Sequence, residues 1–360
     1  MEFYGFSLAG AQEGHSHVDV LNDLLDCVEM SDRLGLDGWF FAEHHVDPYF
    51  SLSPSPNLLI AAASRRTQRL RLGNMVNILP YHNPLRVAEE IRMLDALTGG
   101  RLDVGFGRGQ VRTEQAAFGT VRNDTVDMFD ASFDAIRRLL VGETVDYDNR
   151  WWKGSQALAV PEAVQRPHPP LWMSAASDTS IEKSAKLGLH CATALLTRRM
   201  ADERMAQFRR DWDRHNPARR GEGKFAIVAN IAIADTFADA YAQVQNEFEK
   251  KQEHFARSIT DTPGGDDQTY SSHREQYEAF AKGSADWLLD NHLLIAGTVE
   301  DCIKLVGEIK QRGIDVLICN FHTGHTPFHL SRRSLELFAS EVVPAVEQRA
   351  RPGMRDRLTL

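Results

Sequence analysis

The segment WFFAEHHVDPY ends an apolar β-type run on two histidines, His44 and His45. Successive strand residues point to opposite faces, so one can act as a base or hydrogen-bond donor while the other packs sideways. The same alternation keeps the pair from sharing one metal ion without an irregular backbone. A satisfied histidine in a strand-end network is the plain structural alternative for either residue. His15 and His17, in HSH, have the spacing that puts two imidazoles on one side of a strand and carry a rival metallohydrolase reading. They follow the glycine-containing loop AGAQEGHSH and lead straight into helical sequence, which weakens that reading. His82, His322 and His325 also fall just past apolar runs.

Three further clusters suit a bound ligand. GFGRG, Gly105 to Gly109, is not a dinucleotide fingerprint, because Gln110 stands where the last glycine is needed. Its glycines let backbone approach a flat group, with Arg108 to neutralise negative charge, or they form a tight turn beside a surface arginine. In WMSAASDTSIEKSAKLG, Ser177, Thr179 and Ser180 precede a helix whose first N–H groups suit a phosphate. Thr179 with Glu182 also fits a capping box. Asn74 and Asn77 interrupt an apolar strand, and buried amides need either a ligand or neighbouring strands as partners. Trp151, Trp152 and Trp172 are candidate walls of an apolar pocket.

These residues need a scaffold that gathers strand ends. Strand-type runs fall at 2–8, 37–42, 70–79, 102–106, 171–174, 190–194, 225–234 and 316–321, with helical patterns between them. Eight βα units without a composition break predict one (β/α)8 TIM barrel, α/β in class, over residues 1–348. A Trp- and Pro-rich excursion follows the fourth helix at 145–170. The polar, glycine-rich stretch 258–284 reads as a mobile lid loop, and 349–360 as a frayed C-terminal tail.

At 360 residues, 42% hydrophobic and 25% charged, the chain has ordinary globular composition, which excludes a disordered or collagenous protein. Its net charge of −9, with no Lys/Arg run longer than a pair, argues against a nucleic-acid partner. Four scattered cysteines without C-x-x-C spacing predict neither a disulfide framework nor a thiolate metal site, and fit a reducing cytoplasm. No apolar run reaches the eighteen residues of a membrane span and no signal peptide opens the chain.

Together, FAEHH, LGNMVNILPYHNPLRVAEEIRMLDALTGGRLDVGFGRG, SAASDTS and AGTVEDCI resemble the bacterial luciferase-like flavin monooxygenases over residues 1–348. The resemblance implies a barrel that binds reduced FMN from a separate NAD(P)H:flavin reductase, commonly as a homodimer. It implies insertion of one atom of O2 into a small organic substrate through a flavin C4a-(hydro)peroxide, by hydroxylation, epoxidation or Baeyer–Villiger chemistry, and no metal. By position, His44 matches the catalytic histidine. Met75 and Val76 match the dipeptide under the flavin, often joined by a non-prolyl cis peptide, and the neighbouring Asn77 is grouped with them as cofactor-binding. Arg108 and Gly109 match flavin and phosphate contacts, and Ala175, Ala176, Ser177 and Ser180 the phosphate turn. Gly107 and Ala176 stand where light-emitting alkanal oxidases carry cysteine and glutamate, so light emission is not expected. A deazaflavin oxidoreductase on the same barrel and a non-catalytic flavin-binding partner subunit are the alternatives.

Overall fold

Eight parallel strands close into a ring with helices outside it. The structure, a computed structural model, describes residues 1–245, 248–249, 283–322 and 326–350. Most of the expected lid, 258–282, the end of the tail, 351–360, and His325 lie outside the described residues. The ring runs β1 (Glu2–Ser7), β2 (Gly38–Phe41), β3 (Arg71–Ile78), β4 (Leu102–Gly107), β7 (Leu171–Ser174), β8 (His190–Thr193), β9 (Phe225–Ile233) and β11 (Val316–His322), which pairs back onto β1. These are the eight runs legible in the sequence. Parallel strands buried on both faces need near-continuous apolar sequence, which is why WFFA and FAIVANIAI stand out.

Alternation divides the core into two layers. Phe3, Trp39, Phe41, Leu72, Val104, Leu317 and Cys319 pack outward against the helices. Tyr4, Phe40, Trp172, Ala192, Ala226, Val316 and Ile318 fill the barrel. At the end where the strands begin, Asp103 accepts hydrogen bonds from the Tyr4 hydroxyl (3.2 Å), Arg71 Nε (2.7 Å) and Trp172 Nε1 (3.4 Å). This buried, satisfied plug shuts that end and leaves the carboxyl ends of the strands as the open mouth. Trp172 is therefore barrel filling at the closed end, not the wall of a mouth pocket, because it sits at the start of a strand.

The excursion holds a hairpin absent from the sequence reading, β5 (Val145–Asp148) with β6 (Lys153–Ala157). Its tip carries Trp151 and Trp152, and Arg150 there pairs with Asp124 at 3.1 Å beside the helix α5 (Thr125–Leu140). Both tryptophans are partly buried there. The chain then crosses the closed end: Asp95 accepts from the amides of Val164 (2.6 Å) and Gln165 (2.8 Å), and Gln165 Nε2 donates to the Leu102 carbonyl. A short ninth strand, β10 (Leu294–Gly297), was also missed. It continues along the edge of β9 that β8 covers nearer its start, through Asn230↔Leu294 to Ile233↔Gly297.

Helix starts bring loops back over the mouth. Ser16 caps α1 (His17–Leu34) in a reciprocal box with Asp19, and Gly35, at φ 87°, ends it. His15 and His17 thus flank a helix cap instead of lying on a strand. No helix among the described residues is long and apolar enough to cross a membrane.

Candidate active site

His44 and His45 follow β2, and their imidazoles part. His44 Nδ1 lies 3.0 Å from Glu114 Oε1, which also accepts the backbone N–H of His45 at 2.9 Å. Glu114 is almost fully buried on α4 (Arg112–Ala117), and its other oxygen has no partner among the described residues. A carboxylate only accepts, so Nδ1 carries the hydrogen and Nε2 is the nitrogen left for a bound reactant. The His44 ring stays 24% exposed, against the edge of Phe50 at 4.6 Å.

His45 turns to Glu43. Glu43 Oε1 accepts from His45 Nε2 (3.0 Å) and His82 Nε2 (2.7 Å), and its Oε2 accepts the Ile78 amide (3.0 Å). Burial alone would raise this carboxyl, but the bonds from His45, His82 and Ile78 outweigh it and hold Glu43 below the usual carboxylate value. Burial would lower His82, yet its bond to Glu43 and that charge raise it. The group ties the end of β2 to the end of β3.

Between them, the Met75–Val76 peptide is cis and not prolyl. Met75 stays partly exposed and packs on the barrel filling. Asn74 is satisfied within the fold: its Nδ2 donates to Asn57 (2.9 Å) and its Oδ1 accepts the Gly105 amide (2.8 Å). Asn77 pairs in register with Phe106, on the helix-facing side, and its buried Nδ2 has no partner among the described residues. The glycines of β4 are required by this approach. A Cβ on Gly107 would lie 2.4 Å from Val76 Cγ2, and one on Gly105 2.5 Å from the Asn74 carbonyl oxygen. Half-buried Arg108 and Gly109 follow. Gly109 takes φ 73° beside Tyr81, whose buried hydroxyl has no partner among the described residues and would lie 2.9 Å from a Cβ there.

Further round the ring, β7 leads into α6 (Asp178–Lys186). Its cap is Ser177, not Thr179 with Glu182: the Ser177 hydroxyl accepts from the Ser180 amide (3.3 Å), and Ser180 Oγ accepts from the amides of Ala176 (3.1 Å) and Ser177 (3.0 Å). The helix starts two residues earlier than Thr179 capping requires. Arg204 fixes the turn by donating to the Ala176 carbonyl (3.1 Å) and pairing with Asp178. Ala175 is buried against β8 through its amide bond to the Ala192 carbonyl, 3.0 Å. Among the described residues, no group of three His, Cys, Asp or Glu side chains is placed to hold a metal ion.

Every residue singled out from the sequence as catalytic or cofactor-binding therefore lies on one arc, past or at the ends of β2, β3, β4 and β7. Glu114, Glu43 and Arg204 were missed. Nothing in RTEQ marks Glu114 as the partner of a histidine 70 residues earlier.

A family model described as luciferase-like monooxygenase matches residues 1–316. The chain belongs to the luciferase-like monooxygenase family. Among its relatives, 4-hydroxyprotoasukamycin monooxygenase of Streptomyces nodosus subsp. asukaensis is 28% identical over 342 residues, covering 89% of this chain and 85% of that one. The oxygenase component of the flavin-dependent trigonelline monooxygenase of Acinetobacter baylyi is 24% identical, covering 91% and 90%. The fold matches the oxygenating constituent of 3,6-diketocamphane monooxygenase from Pseudomonas putida, a type II Baeyer–Villiger enzyme in complex with FMN. The TM-score is 0.78 at 17% identity over 96% of this chain and 98% of that one. The family's barrel is thus present in this chain.

Proposed function

We propose that this luciferase-like protein is the oxygenase component of a two-component FMN-dependent monooxygenase. It would take reduced FMN from a separate NAD(P)H:flavin reductase and add one atom of O2 to a small organic substrate. The observation that carries this reading is the gathering of His44 on Glu114, the glycine-bared β3–β4 pair and the serine turn of α6 on one arc of the mouth.

The arc fits FMN chemically. Gly105 and Gly107 remove side chains from the strand pair on which a flat ring would rest, and the Tyr81 hydroxyl, without a partner among the described residues, stands beside Gly109 as a ready donor. Met75 and Val76 would support the ring; Asn77 would add its backbone, since its side chain is on the helix-facing side. Arg108 and the backbone of Gly109 would neutralise and approach the negative end of the cofactor. At α6, a phosphate would take over the hydroxyls of Ser177 and Ser180, with the backbone of Ala175 and Ala176 shaping the turn that Arg204 holds. Bound reduced FMN would supply the activation of O2. His44, oriented through Nδ1 by Glu114, would hold or deliver a proton from Nε2 to the oxygen being transferred.

The deciding experiment is anaerobic titration of the purified protein with reduced FMN, with a reduced deazaflavin in parallel, followed by 18O2 and an organic substrate panel. Selective FMN binding and one 18O per product molecule are expected; tighter deazaflavin binding without 18O in product overturns the reading. Substituting Ser177 and Ser180 together by alanine is expected to weaken reduced FMN roughly 100-fold, about tenfold for each bond to a charged phosphate. Calorimetry showing unchanged affinity would remove the phosphate from this turn.

The proposed assembly is a homodimer in the cytoplasm, where its four free, buried thiols stay reduced. Leu58 on α2 (Pro56–Ser64) and Met93 and Leu97, one turn apart on α3 (Pro84–Thr98), are exposed and give the partner copy an apolar face. Leu58→Asp with Met93→Glu is expected to halve the mass measured by light scattering; an unchanged mass removes this face.

A further inference from the structure

The flavin arc leaves half the mouth unassigned. In ring order β9 and β11 lie opposite β3 and β4. Ala226 and Val228 on β9, and Val316 and Ile318 on β11, point into the barrel. The next inward positions are Asn230 and Asn320, paired directly in register. Here apolar filling gives way to two amides. Phe6, which pairs with Asn320, and Val228, one inward position below Asn230, are only partly buried, so this layer is the floor of the mouth.

The amides form a chain with one possible polarity. Asn230 Nδ2 donates to the Leu293 carbonyl at 3.2 Å, and a carbonyl only accepts. The Asn230 oxygen therefore turns to Asn320, whose Nδ2 donates to it at 2.9 Å. Flipping either amide would set two donors or two acceptors against each other, so the usual ambiguity of amide orientation is resolved by the network. The end of the chain is Asn320 Oδ1. Asn320 is 2% exposed and this oxygen has no partner among the described residues. A buried acceptor without a donor is costly, and a ligand donor removes that cost.

Resting on the flavin assignment for the opposite arc, we propose that Asn320 is a specificity-determining residue for the substrate and Asn230 its positioning residue. The substrate class is an organic molecule with a hydroxyl or N–H donor on an apolar frame. The donor bonds Asn320 Oδ1, while Phe6 and Val228 receive the frame. Asn230 acts through Asn320, by keeping its oxygen and not its amino group at the floor.

The test uses matched probes, phenol against anisole and cyclohexanol against methoxycyclohexane, with affinities from ligand-observed NMR on the full chain. The wild-type protein is expected to hold each donor at least about tenfold tighter than its ether. Asn320→Leu should abolish the preference while leaving the ethers bound, and Asn230→Leu should reduce it by freeing the Asn320 amide to turn. Reduced FMN affinity in both variants should stay within about twofold of wild type. Equal binding of donor and ether by the wild-type protein, or binding of neither, overturns the proposal even if a variant misfolds. Retention of the preference in Asn320→Leu overturns it as well. A donor preference without FMN binding would sink the flavin reading and leave this one standing.

Discussion

Replacing His44 by alanine is expected to lower product formation by about 10²- to 10⁴-fold with supplied reduced FMN, the usual contribution of a positioned proton donor or acceptor. Reduced FMN should bind within about twofold of wild type, because the serine turn and the β3–β4 pair are separate from this side chain. The split matters: a structural role for His44 would lower binding and turnover together. Its partner sharpens the test. Glu114 Oε1 accepts from both the His44 ring and the His45 amide. Glu114→Gln keeps an oxygen able to accept both bonds, so its loss should be small, roughly tenfold or less. Glu114→Ala removes the acceptor, lets the ring turn, and should approach the loss of His44→Ala. Single-turnover product yield and FMN titration on the three variants check this. Unchanged yield in His44→Ala would end its assignment.

The parts of this fold legible in the sequence are those whose pattern is local. Parallel strands buried on both faces write themselves as runs such as WFFA, and Gly35 marks the end of α1. LIAG is too short for any periodicity to reveal β10, and KGSQA in the hairpin is too polar to suggest a strand. His44 and His45 were separable in principle by alternation, but the choice between them depends on Glu114 and Glu43, and only the first lies far away in sequence. Trp172 shows the opposite failure. An aromatic residue in a strand suggested a mouth wall, whereas its position at the start of β7 puts it beside Asp103 at the closed end. Asn230 and Asn320 carried the same signal as Asn74 and Asn77, a polar residue in an apolar strand, and were passed over. Sequence could not rank the four, because only register shows which face inward and only the hydrogen-bond network shows which is unsatisfied.

Glu43→Ala is expected to be the most destabilising single change at the site, by about 3–5 kcal/mol, as when one member of a buried charged network is removed. It strands the Nε2–H groups of His45 and His82 and the Ile78 amide together. Its pH signature separates this network from simple packing loss. The carboxyl of Glu43 is lowered in the fold, so its contribution is present above the unfolded carboxylate value, near 4.3, and is lost as pH falls through the lower folded value. His82 is raised, so its contribution is present below the unfolded imidazole value, near 6.5, and is lost as pH rises through the higher folded value. Between those limits both terms act in full, and the wild-type protein should lose part of its stability on either side. Chemical denaturation across pH 2 to 9 should show that maximum in wild type and a flattened profile in Glu43→Ala. Parallel profiles displaced by a constant would instead reduce Glu43 to a space-filler and remove its role in tying β2 to the end of β3. His44 and the Met75–Val76 peptide sit on those two strand ends, so a real Glu43 network makes the stability of this arc of the mouth itself pH-dependent.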